Sequence, residues 1–304
     1  MKTIFTYLII FTTSLFLFNG CDKPAPTEFF DDVGSNEILE YEVLTSDLTN
    51  QYATSGLDTS GIIQDINGLT NLISVSGIKI STKNRTDEFS LAQCFFFDRS
   101  QPVYYSNQQL LGYRTIIPGI IKFNGEEARI VPYRIRYREQ GMQKDTLLGN
   151  KYALYNINGM WGDPFNYVYH SQIEFNFTPF NGQPVNFNIQ TPNEITGSIN
   201  LNGSRSERNL GALIEWNAGE QNRITIIMGL IRHGHLYSIP VYRFRTRDDG
   251  RLIIPKRFLN ELPLNEFDKI VFTLVRSFEH FEQYGENNLF VSSQSIHSIV
   301  IDIP

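Results

Sequence analysis

Cysteine is nearly absent from this chain of 304 residues, which has two, Cys21 and Cys94. A fold stapled by several disulfides is thereby excluded. Positive charge is also short: 26 Lys and Arg face 32 Asp and Glu, a net charge of −6. A nucleic-acid partner would call for a basic excess, so that class is set aside. There is no Gly-x-Ser-x-Gly elbow, no His-Glu-x-x-His helix and no phosphate-binding glycine loop, and no cofactor-binding pattern stands out. After the first twenty residues no apolar run has the length of a membrane span. Met and Trp are scarce, at 4 and 2, while Phe and Tyr number 23 and 15. That bias suits pleated, half-buried surfaces.

The first twenty residues have their own character. Lys2 is their one charged residue, and from Thr3 to Gly20 Leu, Ile and Phe dominate. A short positive segment followed by an apolar one is the pattern of a signal peptide. The run ends in Leu17-Phe18-Asn19-Gly20-Cys21 and gives way to Asp22-Lys23-Pro24-Ala25-Pro26. This resembles the lipobox of bacterial lipoproteins, with Phe18 where that family prefers Leu, Val or Ile. The resemblance implies cleavage before Cys21, diacylglycerol on its thiol and a membrane partner held through that lipid. Several acyl chains hold a protein stably where one does not. The expected location is outside the cytoplasm, lipid-anchored to the cell membrane, and to the outer membrane where the cell has one. Asp22 would favour the inner membrane under the sorting rule of some bacteria. With Cys21 acylated, Cys94 has no partner, and its apolar setting, Leu91 to Phe97, reads as a buried strand thiol.

Residues 21–60 are rich in Ser, Thr, Asp, Asn and Gly and read as a flexible tether, although Ile38 to Leu44 can add an edge strand. From about 61 short apolar or alternating runs are punctuated by Gly, Asn, Pro and Asp. The predicted fold class is all-β, with two antiparallel β-sandwich domains after the tether. The clearest strand runs from Val131 to Arg138, with Tyr133, Ile135 and Tyr137 on one face and Arg134, Arg136 and Arg138 on the other. Ile173 to Phe177 alternates likewise. The turn cluster Pro179-Phe180-Asn181-Gly182-Gln183-Pro184 is the candidate boundary between a first domain, 61–182, and a second, 183–304.

In the second domain strands are expected at Ile195 to Leu201, Ala212 to Trp216, Arg223 to Ile231, Tyr237 to Thr246, Lys269 to Arg276 and Ile296 to Ile303, with one short helix after Pro255. The segment Leu213 to Gly219, the passage from Asp248-Asp249-Gly250 to Leu262-Pro263, and the strand ending in Val275-Arg276 resemble the immunoglobulin-like C-terminal domain of uncharacterised exported bacterial proteins. The resemblance covers about residues 186–304 and implies fold and export, with no activity.

Several groups invite a chemical reading. His233-Gly234-His235 could offer two imidazoles to a metal, but it lies between two strands where a hairpin needs a turn. Asp248-Asp249-Gly250 could supply paired carboxylates, yet the pattern fits turn chemistry better. The stripe Arg134, Arg136, Arg138, and a second at Arg243, Arg245, Arg247, could grip an anionic glycan or lipid headgroup, or simply guard a sheet edge. Trp161, set among Gly159, Gly162, Asp163 and Pro164, could stack on a sugar or fill a core. The expected function is a lipid-anchored envelope protein that binds a glycan or protein partner without catalysis, through Trp161 and the Arg134 stripe. The alternative is a glycan-active hydrolase with two carboxylates on separate strands, about 5 to 9.5 Å apart.

Overall fold

In a computed structural model the chain is all-β, with several antiparallel sheets. The structure describes residues 40–44, 52–54 and 71–304, with breaks at 107, 109, 140–141, 158–160, 220, 236–237 and 285–286. Residues 1–20, expected to be a signal peptide, and Cys21 lie outside the described residues.

The strands are β1 (Glu40–Val43), β2 (Tyr52–Thr54), β3 (Asn71–Ser81), β4 (Thr86–Tyr104), β5 (Leu110–Thr115), β6 (Gly119–Phe123), β7 (Glu126–Glu127), β8 (Arg129–Glu139), β9 (Met142–Ile157) and β10 (Trp161–Gly162). They continue with β11 (Gln172–Pro179), β12 (Val185–Gln190), β13 (Gly197–Asn202), β14 (Gly211–Trp216), β15 (Ile224–Arg232), β16 (Ser238–Thr246) and β17 (Arg251–Ile254). A short helix, α1 (Lys256–Asn260), precedes the long pair β18 (Phe267–Tyr284) and β19 (Asn287–Asp302). Pro255 stands just before the helix, where its missing N–H costs nothing.

One sheet runs through the whole molecule in the order β1-β16-β15-β18-β19-β3-β4-β9-β8-β2, with β5 and β10 attached at its side. Two small sheets cover one face of it. The sheet β13-β14-β17 packs over the β16, β15 and β18 part, burying Ile214, Trp216, Phe244 and Phe272 in one core. The sheet β12-β11-β6-β7 packs over β3, β4 and β9, burying Phe123, Phe175, Phe177 and Tyr152 in a second. Alternation carries this: along β11 the burial reads exposed, buried, exposed, buried, so Ile173, Phe175 and Phe177 all point inward. Each ring so buried contributes roughly 1.5–3 kcal/mol. A third cluster, around Phe95, Phe97 and Tyr133, lies on the opposite face of the large sheet under β5.

The long hairpin β18–β19 is what makes the sheet continuous. Its first half lines one core, with Phe272 and Leu274, while Leu289 and Val291 at its far end line the other. β3 then pairs with β19 in parallel, from Asn71 opposite Leu289 to Ser81 opposite Ile299.

Two expectations need correction. The turn at Pro179 to Pro184 joins β11 to β12 as a hairpin inside the same small sheet, so it does not separate two sheets. The passage from one small sheet to the other lies instead between Gln190 and Gly197. Within the stretch expected as a tether, 21–60, the edge strand anticipated at Ile38 to Leu44 is β1, whose Tyr41 packs against the first core with its ring 4.9 Å from that of Phe258, and β2 is a further strand that was not expected.

Candidate functional site

The structure does not bring the expected site residues together. Tyr133 and Ile135 of β8 are buried in the third cluster and Arg134 between them is exposed. Arg134 Nη1 donates to Asp145 Oδ1 on β9 at 3.2 Å. Arg136 and Arg138 take register positions opposite Asp145 and Gln143. Trp161 stands at the other end of β9, at the register position opposite Ile157. Ten residues of β9 separate Ile157 from Leu147, the partner of Arg134, which at 3.3 Å per residue is about 33 Å. The register positions of Trp161 and Arg134 therefore lie far apart along β9. Near that end of β9, Arg129 and Asp163 form an ion pair. Tyr155 and Ile157, at 38% and 41% exposed, leave apolar surface there.

The most developed polar arrangement is elsewhere, where the chain passes between the two small sheets. Arg276, fully buried at the end of the apolar part of β18, donates Nε and Nη2 to the two oxygens of Asp248 at 2.7 and 2.8 Å. Its remaining hydrogens go to the backbone carbonyls of Asn193, Glu194 and Asn217. All five guanidinium N–H groups are thus used. Asp248 also accepts Trp216 Nε1 at 3.0 Å. Gly219 is required here, because a Cβ would come within 2.6 Å of the guanidinium carbon. Asp248 is therefore a partner for a buried cation and no half of a catalytic carboxylate pair; Asp249 caps the turn by accepting the Arg251 N–H.

Alongside, Lys79 Nζ lies 3.2 Å from Glu88 Oε1 and 2.6 Å from Glu194 Oε1. Burial pulls the Lys79 pKa down, and the bonds and charges of Glu194 and Glu88 overrule it, so the ammonium sits above its ordinary value. These two carboxylates are at most about 6 Å apart, close to the spacing used in glycoside hydrolysis. The ammonium fills the space between them where a glycosidic oxygen would have to enter.

A Ser–His pair adjoins this group: His297 Nε2 is 2.9 Å from Ser81 Oγ. The Gly197 N–H donates to His297 Nδ1 at 2.9 Å. Nδ1 is thereby the nitrogen without hydrogen, and in the neutral ring Nε2 carries it and donates to Ser81. A base that activates serine needs the opposite tautomer. Burial, then the charge of Lys79, lower the His297 pKa against the pull of Glu194, which favours this neutral form. Gly77 completes the junction: a Cβ there would meet Tyr167 at 2.5 Å, so its absence lets the Tyr167 and Tyr169 rings lie on the sheet. Tyr167 and Ser293 share a hydrogen bond of 3.0 Å.

One cation sits apart from carboxylates. Lys151, on β9 in the face under β5, is 8% exposed and donates to Gln93 Oε1 at 3.0 Å, with the Phe95 ring 5.1 Å away. Burial lowers its pKa to about 8. Sequence reading passed over it, since a lysine in an alternating strand ordinarily faces water.

His233-Gly234-His235 is the turn between β15 and β16, with Gly234 at φ 71° and the His233 imidazole beside Asp268. Among the described residues no cluster of three His, Cys, Asp or Glu side chains could hold a metal. Cys94 is fully buried in the second core, and burial pushes its thiol pKa well up. Arg243, 4% exposed, pairs with Glu42 of β1 at 2.7 Å.

Comparison with protein-family models, with curated proteins and with solved structures gave no match.

Proposed function

We propose that this chain is a lipid-anchored protein of the cell envelope, in which two sandwiches on one shared sheet act as a rigid, non-catalytic module that presents a binding surface to a glycan or protein partner. The anchor rests on the sequence from Leu17 to Cys21. The second sandwich is immunoglobulin-like in this reading, supported by its strand order: β13, β14 and β17 on one sheet and β16, β15, β18 and β19 on the other correspond to strands A, B, E and C′, C, F, G.

The observation that carries the non-catalytic part is the use of the polar groups at the junction. Arg276, Asp248, Lys79 and His297 are engaged in bonds that tie the two sandwiches to the segment between them, and the Ser81–His297 pair runs in the wrong direction for nucleophilic catalysis. The exposed apolar surface at Tyr155 and Ile157 beside the Trp161 position is the stretch best suited to stack on a sugar.

The experiment is incubation of the purified chain with isolated envelope polysaccharide, reading retention and newly formed reducing ends together. Retention without new reducing ends, weakened at least tenfold by Trp161→Ala in a variant of unchanged thermal stability, is the expected result. New reducing ends would support the hydrolase instead, and unchanged retention in Trp161→Ala would remove the surface from this role.

A further inference from the structure

The stretch from Asn193 to Gly197, which carries the chain from one small sheet to the other, is tied down largely by side chains. Arg276 Nη1 donates to the carbonyls of Asn193 and Glu194. Ser295 Oγ accepts the Ile195 N–H at 2.8 Å and Asn217 Oδ1 the Thr196 N–H at 2.7 Å. The last tie, from the Gly197 N–H to His297 Nδ1 at 2.9 Å, is the one whose acceptor disappears when it takes up a proton. A charged imidazole carries hydrogen on both nitrogens, so Nδ1–H would then face the Gly197 N–H, donor against donor. A half-turn of the ring gives no relief, because it would point carbon at Gly197 and give up the Nε2 bond to Ser81 as well. The groups that face His297 are few. Lys79 stands opposite it on β3 and Leu274 on β18, while Glu194 and, from β4, Glu88 reach it through their bonds to Lys79. Tyr169, whose pKa burial and then the charge of Glu194 push up to about 12, adds no charge, and β13 has no charged residue. Burial, then Lys79, hold the His297 pKa below its ordinary 6.5, so the ring is neutral at pH 7 and becomes charged in acid.

We propose that His297 is an acid-sensitive latch, whose protonation releases Gly197 and with it the start of β13 from the large sheet. β13 is an edge of the three-stranded sheet, paired only with β14, so release at Gly197 frays that edge first. The sign follows from the lowered pKa: the stability contributed by the neutral ring is complete above about pH 6.5 and is lost as pH falls from there through the lower folded value.

The test follows the His297 ring by its nitrogen NMR shifts, and the Gly197 amide by hydrogen exchange corrected for the intrinsic effect of pH, in the purified full-length chain from about pH 8 down to about pH 5. The expected result is a neutral ring with its hydrogen on Nε2 at the upper end, and Gly197 exchange at least about tenfold faster once the ring is charged, while Val75 in the second core is unchanged. His297→Gln offers Oε1 to Gly197 and takes no proton, so the rise is expected to vanish. Lys79→Met removes the facing cation and is expected to move the rise to higher pH. A charged ring with Gly197 still protected in the wild-type chain would overturn the proposal. So would a ring still neutral at about pH 5, or the same acid rise in His297→Gln, which would place the response on Glu194 and Glu88.

Discussion

Arg276 is the residue on which the most depends. Its five N–H groups are all taken by Asp248 and by carbonyls of the segments it fastens, and none is solvent-facing. Arg276→Ala leaves the Asp248 carboxylate buried and three carbonyls without their donor. The expected loss is about 3–5 kcal/mol, read by denaturant unfolding. A loss under about 1 kcal/mol would show that the junction does not depend on this pair. Lys151 predicts the opposite sign. Its folded pKa is depressed from 10.5 to about 8, so as pH falls the unfolded chain takes up this proton first. The stabilising contribution of the neutral amine is present above about pH 10.5 and is lost on the way down to about 8. Lys151→Met is therefore expected to raise stability at pH 7 by about 1–3 kcal/mol, with the advantage shrinking toward pH 10. A destabilised Met variant with no pH dependence would contradict this. Neither residue's role was legible beforehand: Arg276 simply ends an apolar strand, and its four partner residues come from three other stretches of chain.

At the scale of elements, the alternation of Tyr133 and Ile135 with Arg134, and of Ile173, Phe175 and Phe177 with their polar neighbours, placed β8 and β11 directly. Period-two burial is a local property and survives without tertiary knowledge. The strands β18 and β19 were recognised only in their apolar parts, from Lys269 to Arg276 and from Ile296 onward. Their outer ends, with His280, Glu282, Ser292 and Ser293, are polar and pair with each other or with β3, a partner more than 200 residues away. The separation of Trp161 from Arg134 was hidden for a related reason. The two are close in sequence, but the β8–β9 hairpin sends them to opposite ends of a sixteen-residue strand. β1 gives the prediction at this scale. Tyr41→Ala removes the ring packed on Phe258 and is expected to lower the unfolding midpoint and to speed amide exchange in β16 at least tenfold. Unchanged exchange in β16 would mean that β1 does not protect that edge.

For the whole molecule, the account is of two sandwiches that cannot move independently, because β18 and β19 run through both cores and Arg276 fixes the passage between them. A rigid body of this kind suits presentation at a surface, and in the proposal its placement there depends on Cys21. The mass of the mature protein from membranes tests this most directly. The account predicts a chain that starts at Cys21, lacks residues 1–20 and carries three acyl chains, and a Cys21→Ser variant without lipid that is left as precursor or released. A wild-type chain of unmodified mass at Cys21, retained on membranes equally well in Cys21→Ser, would contradict it.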